Sequence, residues 1–221
     1  MLLDFWTAGC INCLHVQPLL RRLETAFADV LVVIGVHTPK YPHEATLHSV
    51  QQAVARYGIR HPVVNDPHWQ LWQAYRVPGW PTLVVIDPEG RILQGFVGEN
   101  HDQRLERLIA ATVAYHRRKG TLRPGAAPAV ALPPPAATAL RYPGKVLADA
   151  ASSRLFIADS GHHRLVVTDL EGRLLAVVGS GQPGAEDGPS GHRHLSRPTR
   201  SGAGRRGALR GRHRQSLAAP R

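Results

Sequence analysis

The feature that most constrains the fold is a pair of cysteines at the point where an apolar strand gives way to an amphipathic helix. Residues 2–6 form a short apolar run, and Cys10 and Cys13 follow it closely. Apolar side chains then recur at helical spacing and predict a helix over residues 11–28: Val16, Leu19, Leu20, Leu23 and Phe27. These are the only two cysteines in the chain. A secreted scaffold held together by several disulfides is therefore excluded.

Strands and helices alternate through the first 120 residues. The predicted elements are a buried strand at 30–36, a helix at 47–57, a short strand at 62–64, a short helix at 69–75, and antiparallel strands at 82–86 and 91–97. A last helix is predicted to begin at Asn100 as N-cap, with Gln103 three positions on, and to end at Gly120. This order predicts an α/β fold with helices on both faces of a sheet.

The pattern changes after residue 120. Residues 121–141 contain five prolines among many alanines, which predicts a semi-rigid linker. Over residues 142–188, short apolar runs near 146–147, 155–158, 165–167 and 174–178 recur about every ten residues, which predicts one blade of an all-β repeat. Residues 189–221 have almost nothing to bury, and we expect them to be disordered.

The net charge of +11 is concentrated in that tail, because residues 189–221 contain nine arginines and no lysine, aspartate or glutamate. Arg-Gly-rich segments bind nucleic acid through its phosphates, which is one interpretation. The other is out-of-frame translation without a selected function. No aromatic residue follows Phe156, so base stacking is not available and we expect no specific nucleic-acid partner. No apolar run approaches the roughly 20 residues of a membrane span.

The spacing of Cys10 and Cys13 suits either metal binding or thiol chemistry. Zinc requires four ligands, and no second pair lies nearby; His15 is the one neighbouring candidate, so we expect no metal and no cofactor. At a helix N-terminus, free N–H groups and the helix dipole favour a thiolate at Cys10. Cys13, one turn further on, is placed to close a disulfide with it. Two buried structural cysteines remain the alternative.

The segment from Asp4 to Cys13 resembles the active-site segment of thioredoxin-like proteins, and Trp80-Pro81-Thr82 resembles their cis-proline loop. The resemblance implies a thioredoxin-like fold and an enzyme, a thiol–disulfide oxidoreductase, whose substrate is a protein with a disulfide or dithiol. It implies that Cys10 and Cys13 are catalytic and that a buried Asp4 helps to remove the proton of Cys13. It also implies a cis Trp80–Pro81 bond and substrate contacts from Trp80, Pro81 and Trp6.

Residues 35–40 and 61–67 are similar to the TlpA-like branch of this superfamily, and more narrowly to proteins that fuse such a domain to an NHL-repeat β-propeller. Residues 155–165 resemble an NHL repeat core. Because a propeller needs at least four blades, we expect a propeller fragment. We also expect that the native N-terminus is missing and, since no signal peptide is visible, that the protein is cytoplasmic.

Two departures from the thioredoxin pattern flank the dithiol. Gly9 stands where thioredoxins have tryptophan, so we expect that side of the dithiol to be less covered. Ile11-Asn12 replaces Gly-Pro, which leaves the redox direction open. The leading hypothesis is a thiol–disulfide oxidoreductase with four segments: 1–120, 121–141, 142–188 and 189–221. The alternative is an interaction protein in which the NHL segment binds a protein partner and the thioredoxin-like domain is a scaffold.

Overall fold

The computed structural model describes residues 1–125 and 137–184, which fall into two compact units that divide between residues 136 and 137. The predicted boundaries at residues 120, 141 and 188 stay predictions. The predicted disorder of residues 189–221 and the middle of the predicted linker lie outside the described residues. We describe each unit by itself.

The first unit is built from five strands and four helices, in the order that the sequence predicts. They are β1 (Leu2–Trp6), α1 (Ile11–Ala26), β2 (Val33–His37), α2 (Leu47–Tyr57), β3 (Val63–Asn65), α3 (Gln70–Ala74), β4 (Thr82–Ile86), β5 (Ile92–Val97) and α4 (Asp102–Lys119). The sheet has the order β3-β2-β1-β4-β5, with β1 parallel to β2 and antiparallel to β4. This is the mixed sheet of a thioredoxin-like fold.

Strand β1 occupies the centre of the sheet and is buried along its whole length. Because successive side chains of a strand point to opposite faces, its residues join different cores. Leu2 packs with apolar residues of α1 and α4, whereas Leu3 and Phe5 pack with α3 on the other face. The helices therefore cover both faces of the strand that leads into the dithiol.

Helix α4 begins later than the sequence predicts. Asn100 has a left-handed backbone (φ 67°), and the N-cap is His101, whose side chain makes no capping hydrogen bond. The predicted cap at Asn100 is therefore wrong: a short polar side chain tolerates the left-handed region, and the chain uses that residue to turn into the helix. The predicted end is confirmed, since Gly120 (φ 76°) adopts the left-handed conformation that closes the helix.

The second unit is an antiparallel sheet in the order β6-β7-β8-β9, formed by Pro143–Asp149, Arg154–Asp159, Arg164–Asp169 and Leu174–Val178. The prediction of four short strands is confirmed, and the sheet is consistent with part of a β-propeller. Asp159 is fully buried and accepts hydrogen bonds from the Arg141 backbone, His162 and Arg164. Apolar side chains of the outer strands lie exposed: Val146, Leu147, Leu174 and Leu175.

Candidate active site

The two cysteines lie where β1 passes into α1. Cys10 is the N-cap of α1, and its Sγ accepts a hydrogen bond from the backbone nitrogen of Cys13 at 3.2 Å. Cys10 and Cys13 form a disulfide, with their Cα atoms 5.3 Å apart. Cys10 is half-buried, whereas Cys13 is 1% exposed. A partner can therefore reach the sulfur of Cys10 more easily than that of Cys13.

The loop between β1 and Cys10 is held by three side chains from other parts of the fold. Glu44 accepts hydrogen bonds from Thr7 Oγ1 at 2.5 Å and from the Gly9 nitrogen at 2.7 Å. The Tyr57 hydroxyl donates to the Ala8 carbonyl at 2.9 Å. The Ala8 nitrogen donates to His37 Nε2 at 3.3 Å. The loop that presents Cys10 is thus anchored at each of its residues.

Glu44 is a site residue that the sequence analysis missed. It is 3% exposed and also accepts hydrogen bonds from the backbone nitrogens of Lys40 and Tyr41. Burial alone raises the pKa of this carboxyl, but the hydrogen bonds from Thr7 and the three backbone nitrogens outweigh it and hold the pKa below its ordinary value. A charged Glu44 therefore ties the 3-10 turn at Pro42–Glu44 to the dithiol loop.

Gly9 is explained by the same contact. A Cβ at this position would lie 2.8 Å from Glu44 Oε1 and 3.6 Å from the Tyr41 ring. The expectation that a glycine here leaves this side of the dithiol less covered stays a prediction: Gly9 itself is exposed, and Glu44 and Tyr41 lie on the side to which a side chain would project. Glycine is required for the close approach of the carboxylate.

Asp4 lies in the middle of β1 and is 1% exposed. Its Oδ2 accepts a hydrogen bond from Gln17 Nε2 at 3.3 Å. Gln17 follows Cys13 by four residues on α1 and therefore lies on the same side of the helix, one turn further along. Burial raises the pKa of Asp4 to about 7, against smaller opposing effects of His61 and Gln17. Neither Gln17 nor His61 was predicted as a site residue, although His61 opens the segment 61–67 that is similar to the TlpA-like branch.

Trp6 does not lie where a substrate contact requires it. Its side chain is fully buried, and its ring packs edge-on against His37 at 4.9 Å and Tyr57 at 6.5 Å between centroids. The prediction that Trp6 touches substrate is therefore corrected: this ring supports the two side chains that hold the loop. Burial lowers the pKa of His37, which keeps its Nε2 available as an acceptor for Ala8.

The Trp80–Pro81 peptide bond is cis, as the resemblance implies. Trp80 is half-buried and packs against the apolar cluster that contains Cys10 and Cys13. Its ring lies 4.4 Å from that of Trp72 and 5.4 Å from that of Trp69. The Pro81 carbonyl accepts a hydrogen bond from the Gly98 nitrogen at 2.8 Å. Trp80, just before β4, is thus packed against the apolar cluster to which Cys13 belongs.

A cleft of about 180 Å³ lies beside helix α1. Its lining includes His15 of α1 together with Leu83, Gly98 and Glu99.

His15, the sequence candidate for a third metal ligand, instead pairs with Glu99 at 2.7 Å. Within residues 1–125 and 137–184, no three His, Cys, Asp or Glu side chains are grouped so as to hold a metal ion. In the same two ranges, no helix has the length and apolar composition to cross a bilayer.

A family model described as thioredoxin-like matches residues 1–92 of the chain. Thiol-disulfide oxidoreductase ResA of Bacillus thuringiensis (strain Al Hakam) is 27% identical over 104 residues, which cover 47% of this chain and 58% of that protein. The residues that the family model matches include the dithiol segment, strands β1 to β4 and the cis-proline loop.

Two longer relatives match more of the chain. NHL repeat-containing protein 2 of Gallus gallus is 42% identical over 194 residues, which cover 85% of this chain and 26% of that protein. Protein SUPPRESSOR OF QUENCHING 1, chloroplastic, of Arabidopsis thaliana is 39% identical over 204 residues, which cover 90% of this chain and 19% of that protein. Both alignments are longer than the first unit, so the similarity continues into the second. The chain spans 26% and 19% of the lengths of these relatives.

Proposed function

The first unit of this chain is a thioredoxin-like domain, and from this premise we propose that it catalyses thiol–disulfide exchange through Cys10 and Cys13. The observation that carries the proposal is the unequal exposure of two sulfurs at one helix N-terminus. Cys10 caps α1 and is accessible, whereas Cys13 is buried one turn inside. A nucleophile needs the first environment and a resolving thiol needs the second.

In the reductive direction, the Cys10 thiolate attacks one sulfur of a substrate disulfide. The other substrate sulfur leaves as a thiolate with the electron pair of the broken bond, and a mixed disulfide forms. Cys13 then loses its proton and attacks Cys10 Sγ. The second substrate thiolate leaves, and the Cys10–Cys13 disulfide forms. Two electrons pass from the dithiol to the substrate, and the reverse sequence oxidises a substrate dithiol.

Asp4 is suited to take the proton of Cys13. Its pKa of about 7 places both of its protonation states within reach near neutral pH, which is the condition for an efficient general base. Its contact with Gln17 ties it to the same side of α1 as Cys13. We therefore assign Asp4 to the second step, in which the mixed disulfide is resolved, and not to the first.

Protein substrates suit the surroundings of Cys10. Ile11 is 48% exposed and Tyr41 is 47% exposed, so apolar surface lies next to the reactive sulfur. Trp80 packs against the cluster that contains Cys13, and the cleft beside His15 and Glu99 is lined by residues of α1. We propose that Ile11 and Tyr41, together with Trp80 and Pro81, contact the substrate chain. Trp6 is left out because it is buried.

The proposal is tested with the purified chain and a peptide disulfide whose reduction changes its fluorescence. We expect turnover by the parent in the presence of dithiothreitol and none by Cys10→Ser. Cys13→Ser should accumulate a one-to-one mixed disulfide with the peptide through Cys10, whereas Cys10→Ser should form none. Equal turnover by the parent and Cys10→Ser would overturn the assignment.

A second candidate function rests on the sheet β6–β9. Val146, Leu147 and Leu174 are each more than 60% exposed, and an exposed apolar sheet favours association with another protein surface. We propose that this unit binds protein, alongside the redox activity of the first unit. Sedimentation of the parent and of a Leu147→Lys, Leu174→Lys double variant tests this, since the variant should self-associate less. The cytoplasmic location stays a prediction.

A further inference from the structure

Of the buried side-chain polar atoms that have no hydrogen-bond partner among the described residues, three belong to side chains around Gly35. They are Asp4 Oδ1, Trp6 Nε1 and His61 Nε2. The three residues are 1%, 0% and 4% exposed. Leaving one such atom unpaired costs about 1–3 kcal/mol, so three in one place call for a shared explanation.

The three side chains lie around Gly35 of β2. Asp4 pairs with Gly35 across β1 and β2, and Trp6 points to the same face of the sheet as Asp4 because it is two residues further along. A Cβ on Gly35 would lie 3.0 Å from Trp6 Nε1 and 3.4 Å from His61 Nε2. Val63 Cγ2 would lie 3.1 Å from the same Cβ, so a side chain at position 35 would crowd these groups, and the glycine lets them lie close together.

His61 connects these side chains to the surface of the domain. Its Nδ1 lies 3.1 Å from Glu24 Oε1 on α1, and the Glu24 side chain is 27% exposed. When Nδ1 carries the proton and donates it to Glu24, the lone pair of Nε2 lies on the side of Gly35. A histidine in this arrangement accepts a proton on one side and releases one on the other.

We propose that His61 is a positioning residue for Asp4 and that the proton taken from Cys13 leaves through His61 and Glu24. A single water molecule, held by Asp4 Oδ1, Trp6 Nε1 and His61 Nε2, links the first two groups. The Asp4 carboxyl donates its proton to this water, which passes one to His61 Nε2. The ring releases its Nδ1 proton to Glu24 and from there to solvent, and Asp4 becomes a carboxylate again. This inference rests on the proposed exchange activity and deepens it.

The groups that face Asp4 are consistent with this route. Helix α1 contributes Gln17 and, through His61, Glu24, whereas Gly35 of β2 and Leu83 of β4 are the strand partners of Asp4. A protonated His61 lowers the pKa of Asp4 against the effect of burial, so the two residues are electrostatically coupled. Replacing His61 therefore changes both the route for the proton and the titration of Asp4.

The test compares the parent with His61→Gln and Glu24→Gln, and uses the exposed His48→Gln as the matched control. Glutamine at position 61 can still donate to Glu24 but does not titrate. The first readout is the rate at which Cys13 resolves a preformed mixed disulfide between pH 5.5 and 8.5. The second is the titration of the Asp4 carboxyl carbon by NMR in the reduced protein. The second readout does not depend on turnover.

We expect His61→Gln to slow resolution about tenfold near pH 7, less than the roughly 10²–10⁴-fold effect of losing a direct general base. Glu24→Gln should slow it less, and His48→Gln not at all. Attack of Cys10 on the substrate should stay at the parental rate. The Asp4 titration should move to higher pH in His61→Gln, because a group that lowers its pKa is removed.

An active parent whose resolution rate and Asp4 titration are both unchanged in His61→Gln would overturn the relay and leave the proposed function intact. A parent without any exchange activity would overturn the proposed function instead. If resolution slows in His61→Gln while the pH profile and the Asp4 titration stay parental, His61 is merely structural and the relay is wrong.

Discussion

Glu44 Oε1 lies 2.7 Å from the backbone nitrogen of Gly9, so a buried carboxylate is bonded to the residue immediately before Cys10. The same carboxylate binds Thr7 and the backbone of Lys40 and Tyr41. Position 44 lies far from the dithiol in sequence and next to it in space. The loop that presents the nucleophile is therefore built jointly by two separate segments.

Glu44→Gln should destabilise the protein. An amide at this position must turn its NH₂ group toward at least one backbone or hydroxyl donor, and the charge that strengthens the bonds is lost. We expect a loss of about 1–3 kcal/mol in the free energy of unfolding at pH 7, measured in urea. Because the folded pKa of Glu44 is lowered, its contribution is present above the unfolded pKa and disappears as the pH falls through the folded value. The exposed Glu106→Gln is the control and should change stability by less than about 0.5 kcal/mol.

Gly9→Ala should also destabilise the protein, by about 1–3 kcal/mol, because its Cβ would force Glu44 Oε1 from its place. The two substitutions should not be additive. Gly9→Ala in a Glu44→Ala background should cost much less, since the atom in conflict is gone. A double-mutant cycle by chemical denaturation measures this coupling. Equal costs of Gly9→Ala in both backgrounds would show that the close approach to Glu44 is not the reason for glycine.

Asp4→Asn should stabilise the protein at alkaline pH. Burial raises the folded pKa of Asp4 from 3.8 to about 7, so the folded state holds this proton more tightly than the unfolded chain does. Stability from this residue is therefore full below about pH 4 and falls as the pH rises to about 7, by up to about 4 kcal/mol. Urea titrations of parent and variant should agree near pH 4 and diverge with the variant more stable at pH 8. Parallel curves at all pH values would contradict the raised pKa.

Asp4→Asn should also slow the resolution of a mixed disulfide more than its formation, because the carboxylate acts on Cys13. Stopped-flow mixing with a peptide disulfide separates the two steps. As a general base contributes about 10²–10⁴-fold, we expect the second step to lose most of that factor while the first changes little. A variant that is slower in the first step only would assign Asp4 to Cys10 instead.

Alkylation of the reduced protein near pH 6 should modify Cys10 before Cys13. Cys10 is the N-cap of α1 and half-buried, whereas Cys13 is 1% exposed. A thiol at a helix N-terminus has a pKa of roughly 3.5–7.5, so a substantial part of Cys10 is thiolate at that pH. Mass spectrometry after a short exposure to iodoacetamide gives the order. The unfolded protein in urea is the control and should show equal modification, whereas preferential modification of Cys13 in the folded protein would reverse the roles.

Much of the architecture could be predicted from local patterns. The dithiol between β1 and α1, the turn at 87–90 and the end of α4 at Gly120 each depend on residues close together in sequence. The prediction of where α4 begins also depended on a local pattern, and it was wrong. Asn100 and Gln103 satisfy a local capping pattern, yet the chain enters the helix one residue later and uses Asn100 to turn.

The roles of Cys10, Cys13 and Asp4 rest on a resemblance that short segments carry, and they stay predictions. The order of exposure of the two cysteines agrees with them. Trp6 shows that a residue's role inferred from a resemblance can be wrong. A tryptophan next to an active-site loop suits substrate contact, but its position on the inner face of a central strand buries the ring completely.

The sequence by itself determined where the strands, helices and dithiol lie, because hydrophobic periodicity, turn residues and helix ends act over a few residues. Only the tertiary structure decided what surrounds the dithiol. Glu44, Gln17 and His61 come from different elements and meet the loop or Asp4 only after the sheet and helices pack. Burial among these elements raises the pKa of Asp4, and the close approach of Glu44 to Gly9 leaves no room there for a side chain.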